Sequence, residues 1–221
     1  MIKELNEKGF VIIRNFFPKD IVEISQNYLR FKYNKIQTFD KLRELARTTI
    51  SMSDPGDGYS FYNDDFTECL LLNSQKKLEE FLQVDLFPTY SFCRIYEKGN
   101  TLEPHTDRYA CEISVTCPAL LSDDHPSIIY IANYIINYDH YVDNRPSYDM
   151  VKEYGSYTRV ELFPGDIMIY KGIERLHWRE PLESDHLIQF FMHYVLANGQ
   201  YANEKFNKRP HIGYFNKEQI K

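Results

Sequence analysis

The sequence predicts an α+β fold, in which a helical first third supports strands that close into a sandwich or jelly roll. Three observations predict it. Apolar residues recur at helical spacing before residue 88, strand-type alternation begins at Thr89, and several strand candidates then follow one another, separated by turn-forming residues. The 221 residues suit one domain with a sizeable core. We divide it into a mainly helical support region (1–88), a strand core (89–196) with an insertion at about 133–156, and a C-terminal tail (197–221).

Residues 1–35 read as helix, short strand, helix, with Ile2 to Lys8 a polar opening turn. Phe10-Val11-Ile12-Ile13 is the kind of β-branched run that strands favour. Asn15 to Asp20 is a turn leading into a helix, along which Ile21, Ile24, Tyr28 and Phe31 recur at helical spacing. Residues 36–47 allow a second amphipathic helix. Residues 51–66, rich in Gly, Asp and Ser, form a loop that ends in aromatics. Cys69 to Leu86 reads as a further helix, stopped by Pro88.

From Thr89 onward, Tyr90, Phe92, Arg94 and Tyr96 share one strand face, and Ser91, Cys93 and Ile95 the other. Cys111–Thr116, Ser127–Ala132, Tyr157–Leu162, Ile167–Tyr170 and Leu187–Leu196 are further strand candidates. Residues 133–156 lack clear periodicity and read as an insertion between strands.

Composition excludes several classes. With 26 basic against 32 acidic side chains and no long Lys/Arg run, the chain has no surface suited to nucleic acid or anionic membranes. No stretch approaches the roughly 20 apolar residues that span a bilayer. The charged start is unlike a signal peptide. The four cysteines form no Cys-x-x-Cys pair, so they read as free thiols, with Cys93 and Cys111 buried, and the expected compartment is the reducing cytoplasm. Aromatics are abundant: 18 Tyr, 15 Phe and one Trp. Nine of them (Tyr90, Phe92, Tyr96, Tyr130, Tyr170, Trp178, Phe190, Phe191 and Tyr194) fall on strands or beside the residues singled out next. Most should fill the core, and some should wall a dry pocket.

The sharpest feature is the run from Tyr96 to Arg108. His105 and Asp107 lie two apart, so an extended chain projects both from one face. A later segment offers a third ligand: Pro164-Gly165-Asp166 turns into a short apolar strand, Gly172 breaks it, and His177 follows. Two histidines and one carboxylate on one face of a metal, with the opposite positions open, is the arrangement of non-haem Fe(II) oxygenases. Alone, His-x-Asp also fits a surface pair. His186 and His193 are alternative distal histidines, although His193 sits in an apolar run that better suits a core or pocket histidine.

Taken together, Tyr96-x-x-Gly99, Leu102-x-Pro104-His105-x-Asp107, Pro164-Gly165-Asp166 and His177 resemble the Fe(II)- and 2-oxoglutarate-dependent dioxygenases, especially the prolyl-4-hydroxylase-like and phytanoyl-hydroxylase-like branches. The resemblance covers residues 89–196 firmly and 9–31 loosely, through Gly9-Phe10-Val11-Ile12-Ile13-x-Asn15-Phe16. It implies a double-stranded β-helix, a cupin-like jelly roll with N-terminal helices packed on it. It implies Fe(II) held by His105, Asp107 and His177, with 2-oxoglutarate and O2 as co-substrates and succinate and CO2 as products. The substrate would be a small molecule or an amino-acid side chain on a peptide. The presence of Asp107, where halogenating relatives lack the carboxylate, implies hydroxylation or a related oxidation. Tyr96 matches the family tyrosine that hydrogen-bonds the co-substrate.

The chain departs from that pattern at one place. The family carries an Arg or Lys on the last core strand to pair with the far carboxylate of 2-oxoglutarate, but Asp185 to Phe190 holds no such cation. A buried dicarboxylate needs a partner, and a guanidinium fork answers it best. Arg179 is favoured because it shares a face with His177; Arg94 is next, beside Tyr96; Arg108 would need a turn to redirect it. Tyr130 fits core filling better than a co-substrate contact. Two other readings stand: a non-catalytic metal-binding jelly roll, and a zinc hydrolase. The segments 51–66 and 133–156 are expected to line or cover the substrate entrance.

Overall fold

The computed structural model describes residues 2–41, 58–135, 149, 151 and 155–214. Part of the expected second helix, the first part of the 51–66 loop, most of the 133–156 insertion and the end of the tail lie outside the described residues. The elements run α1 (Ile2–Lys8), β1 (Phe10–Ile13), α2 (Lys19–Thr38), β2 (Tyr59–Tyr62), α3 (Asp65–Leu82), β3 (Leu86–Glu97), β4 (Leu102–His105), β5 (Ile113–Leu121), β6 (Ser127–Ala132), β7 (Tyr157–Leu162), β8 (Ile167–Tyr170), β9 (His177–Arg179) and β10 (His186–Leu196). A short 3₁₀ turn at Tyr109–Cys111 lies between β4 and β5, and the segment Ala202–Lys208 after β10 starts as 3₁₀ helix but turns non-helical from Lys205.

The strands form a jelly roll of two antiparallel sheets, ordered β1-β8-β5-β10-β3-β2 and β4-β9-β6-β7. The sheets meet through Ile129, Ile131, Val160 and Leu162 of the smaller one, packed on Met168, Tyr170, Phe10 and Ile12 of the larger. The opposite face of the larger sheet carries Cys93, Ile95, Val115, Ile169, Ile188 and Phe190, which pack with Leu5, Leu29, Leu71 and Leu78 of the helices. Period-two alternation thus divides each strand between a helix-covered face and a barrel interior. Among the described residues no helix is long and apolar enough to cross a membrane.

Several expectations shift. Ile2–Lys8 is a helix rather than a turn, anchored by fully buried Leu5. In α2 the buried side chains are Ser25, Leu29 and Ile36, while Ile24 and Phe31 are 55% and 65% exposed. The apolar stripe is therefore rotated from the expected one, because the pattern holds enough apolar residues for two overlapping faces. Helix α3 ends at Leu82, where Gln83 turns left-handed, so Pro88 does not stop it. Pro88 lies inside β3, beyond the part that pairs with β2, where a missing N–H removes no bond on that side. The support region also supplies strands: β1 pairs with β8, and β2, which fell within the expected loop, pairs with β3. Of the nine aromatics, Phe190 and Tyr194 face the helices instead of the interior, and the Tyr194 hydroxyl donates to Leu71 O at 2.6 Å. Cys93, Cys111 and Cys117 are buried free thiols and Cys69 is exposed.

The Pro164-Gly165-Asp166 turn shapes the approach to β8. Gly165 takes φ +96°, open to glycine at little cost. The Asp166 carboxylate accepts from Phe163 N and Asn15 N, both at 3.0 Å, and from Arg14 Nη1 at 2.7 Å. One side chain so closes the turn and ties down the end of β1.

Candidate metal centre

Strand pairing assembles the centre. β4 and β9 are antiparallel, with His105 directly opposite His177 and Leu102 opposite Arg179. The two imidazoles come within 4.2 Å, centroid to centroid. Asp107 follows β4, and its N–H donates to Gly172 O at 2.8 Å, which holds the residue beside both rings. Asp107 Oδ1 lies 3.6 Å from His105 Nε2 and 3.5 Å from His177 Nε2. Donor atoms about 2.0–2.2 Å from a common ion stand roughly 3–3.6 Å apart, so this spacing fits one cation.

The protonation pattern agrees. Each Nδ1 faces a backbone carbonyl, His105 toward Glu103 O at 2.8 Å and His177 toward Arg175 O at 3.0 Å. A carbonyl only accepts, so Nδ1 carries a proton and Nε2 is the nitrogen turned toward Asp107. Burial by itself would raise the Asp107 pKa, but the charge of and hydrogen bond from His177, with His105 and His193 behind it, hold the carboxyl well below the usual range. With a metal in place of the Nε2 protons, the centre would offer two imidazole nitrogens and one carboxylate oxygen.

A second layer holds the carboxylate. Ser114 Oγ donates to Asp107 Oδ2 at 2.9 Å, which turns Oδ1 toward the histidines. His193 Nδ1 lies 3.0 Å from the same hydroxyl. The single hydroxyl proton is committed to the carboxylate, so His193 must donate, and burial keeps it neutral by pushing its pKa down to about 4. A Cβ on Gly172 would meet Asp107 Oδ2 at 2.2 Å and Ser114 Oγ at 2.6 Å, so only glycine lets these groups close up. Outer-shell partners of this kind typically change metal affinity by about 10–100-fold. Ser114→Ala is therefore expected to weaken metal binding within that range while leaving the melting temperature within a few degrees, as checked by equilibrium dialysis and thermal melts.

Asp107, Cys111 and His193 also bring donor atoms within 4.8 Å of one another. Burial, reinforced by the Asp107 charge, pushes the Cys111 thiol well above its ordinary pKa, so it stays protonated, and His193 Nδ1 is engaged by Ser114. His105, Asp107 and His177 are the better set. His186 stacks on Tyr33 at 5.0 Å, away from this cluster, and His193 is the buried pocket histidine its apolar run suggested.

Deeper in the barrel, β3 presents Arg94 and Tyr96 opposite Gln189 and Leu187 of β10. The Arg94 and Arg179 guanidinium carbons each lie 5.1 Å from the Tyr96 ring centre. Tyr96 is fully buried, and among the described residues its hydroxyl meets no hydrogen-bond partner of good geometry, with the Arg179 guanidinium as its neighbour. Arg179 donates to Ile128 O at 2.5 Å, Ser127 Oγ at 3.1 Å and Gln189 Oε1 at 2.5 Å. Burial lowers its pKa, the sign of a cation held by neutral groups. Gln189 donates onward to Thr116 Oγ1. The sequence did not single out Ser114, Thr116 or Gln189; polar residues on the inward face of buried strands were the available signal.

The structure leaves two expected residues out of this group. Arg108 turns toward Tyr62 and Asn207 and stacks over Tyr90 at 4.4 Å. Tyr130 shares the outer face of the smaller sheet with Trp178, stacked at 5.5 Å, because β6 and β9 alternate their side chains in step. It therefore points away from the interior that holds Arg179.

No family model matches the chain, and no curated protein matches it in sequence. Solved structures do. A prolyl-4-hydroxylase from Pseudomonas putida is 14% identical with a TM-score of 0.57, over 88% of this chain and 96% of that one. AviO1 from Streptomyces viridochromogenes is 14% identical with a TM-score of 0.61, over 90% and 94%. SnoN, described as a non-haem α-ketoglutarate-dependent epimerase from nogalamycin biosynthesis, is 12% identical with a TM-score of 0.63, over 89% and 79%. At these identities the likeness establishes a shared fold.

Proposed function

We propose that this chain is an Fe(II)- and 2-oxoglutarate-dependent oxygenase, with hydroxylation of a small molecule or an amino-acid side chain as its reaction. The observation that carries the reading is the convergence of His105 Nε2 and His177 Nε2 on Asp107 Oδ1, at 3.6 and 3.5 Å, in a barrel interior that also holds the buried Arg94 and Arg179. Three protein ligands on one side leave positions for a bidentate co-substrate and O2. Bound there, Fe(II) with 2-oxoglutarate would activate O2, releasing succinate and CO2 and oxidising a substrate C–H bond.

The chain's own groups divide the remaining work. Ser114 and His193 orient Asp107, and the two backbone carbonyls orient the imidazoles. His177 and Arg179 leave the same face of β9, about 6.6 Å apart along an extended strand. Arg179 would hold the far carboxylate of a five-carbon dicarboxylate whose 2-oxo acid end is bound beside His177. Arg94 adds a second charge, and the Tyr96 hydroxyl, otherwise unsatisfied, can donate to the same carboxylate. Arg179 and Arg94 so replace the cation missing from β10, where Gln189 instead steers Arg179.

Anaerobic reconstitution with Fe(II), followed by 2-oxoglutarate, ascorbate and O2, tests this reading. We expect 2-oxoglutarate to bind only with metal present and succinate to form on adding O2. If neither is observed, the chain is a metal-binding jelly roll without this catalysis.

A further inference from the structure

Arg108 is left unused by that chemistry, yet it directly follows Asp107 and its surroundings are unusually constrained. Its Nη1 donates to Asn207 Oδ1 at 2.6 Å and its Nη2 to the Tyr62 hydroxyl at 3.0 Å, while the guanidinium lies over Tyr90. All three partners are neutral. Among the described residues Arg108 has no carboxylate at ion-pair distance, and its side chain is exposed. It is a fixed cation with an open side.

The fixing is bought with backbone strain. Phe206, Asn207 and Lys208 take φ of 54°, 54° and 62°, three consecutive non-glycine residues in the left-handed region that L-residues avoid. The segment is pinned downstream, where Arg209 donates to Glu68 at 2.6 Å and Gly213 N donates to the same carboxylate at 2.5 Å. The strained turn delivers the Asn207 amide, which also donates to Tyr62, to Arg108.

The location points to the substrate. Along the inner face of β3, Tyr90 stands level with His193, next to Ser114 and Asp107, whereas Tyr96 marks the Arg94–Arg179 end. Arg108 over Tyr90 therefore sits at the metal end, away from the co-substrate arginines. Tyr62 packs on Tyr90 at 4.9 Å and on Phe92 at 6.5 Å, and Phe92 meets Phe191 at 6.1 Å, which makes an aromatic wall beside the cation.

We propose that Arg108, held by Tyr62 and Asn207, binds an oxyanion, carboxylate or phosphate, on a substrate whose apolar body lies along Tyr62, Phe92 and Phe191. The assignment rests on the proposed metal centre only for the statement that this ligand is the substrate.

The test uses protein loaded with Zn(II) and saturating 2-oxoglutarate, titrated calorimetrically with 3-phenylpropionate, 2-phenylethyl phosphate and neutral 3-phenylpropionamide. At least one anion should bind roughly tenfold or more tightly than the amide, as expected of a charge-assisted pair. Whichever anion is preferred identifies the group. Arg108→Gln should shrink that preference to within about twofold, and Arg108→Lys should restore part of it. Asn207→Gly, which suits a left-handed backbone but removes the amide, should keep the melting temperature and still weaken anion binding several-fold. Equal binding of acid and amide, no binding of any probe, or a preference that survives Arg108→Gln overturns the proposal. Should 2-oxoglutarate itself fail to bind, the functional reading falls, and the acid-to-amide comparison repeated without it decides this proposal separately.

Discussion

Replacing His177 with alanine is expected to lower metal affinity by more than about 100-fold, beyond the range for outer-shell partners, and to bring succinate formation to background. His177 is buried, its Nε2 lies 3.5 Å from Asp107 Oδ1, and its Nδ1 is tied to Arg175 O. Among the described residues His193, whose Nδ1 is turned to Ser114, and Cys111, whose thiol pKa burial raises, are poorer donors. Three alanine variants form a graded series. His177→Ala should be most severe. His193→Ala, acting through Ser114 on Asp107, should cost about 10–100-fold. His186→Ala, which loses only its stacking on Tyr33, should bind metal as the parent does. Equilibrium dialysis under anaerobic conditions and succinate release read the series. Retention of metal and turnover by His177→Ala, with loss of both in either other variant, would show that the distal ligand is misassigned.

Arg179→Met should raise the KM for 2-oxoglutarate while leaving metal affinity unchanged. A hydrogen bond to a charged group contributes about 1.5–3 kcal/mol, which corresponds to a loss of roughly 10–150-fold. Arg94→Met should act in the same direction, because both guanidinium groups flank Tyr96 at 5.1 Å. The stability of the ligand-free protein supplies a second readout with a definite sign. Arg179→Met removes the donor to Ile128 O, Ser127 Oγ and Gln189 Oε1 and leaves these buried acceptors unpaired, so the melting temperature should fall. The KM shift with metal affinity unchanged is what separates a co-substrate role from a merely structural one. 2-Oxobutyrate, which lacks the far carboxylate, should lose little affinity in either variant. An unchanged KM for 2-oxoglutarate in both variants would remove these arginines from the site.

The legibility of the site followed the distance between its parts along the chain. His105 and Asp107 are two residues apart, so local geometry suffices to bring them together. Turn chemistry is equally local, and Pro164-Gly165-Asp166 folds as its composition dictates. Ser114, Thr116 and Gln189 were harder to see, because what makes them significant is the side chain across the sheet. Ser114 matters through Asp107 and His193, Gln189 through Arg179 and Thr116. The apolar stripe of α2 was misplaced for a similar reason: its sequence permits two faces, and only docking on the larger sheet selects one.

The sequence by itself determined the α+β order, the strand faces of Tyr90 to Tyr96, the His-x-Asp pair and the free, buried character of Cys93 and Cys111. Each depends on the chemistry of residues close together in the chain. The tertiary structure alone decided that Arg94 and Arg179 flank Tyr96 while Arg108 does not, and that Tyr130 faces outward. It also decided that β1 and β2 of the helical region complete the larger sheet. Those outcomes depend on strand register, and a shift of one residue would turn every side chain on a strand to its other face. The β4–β9 pairing sets that register where it matters most, bringing His105 against His177 and Arg179 to the depth of Tyr96.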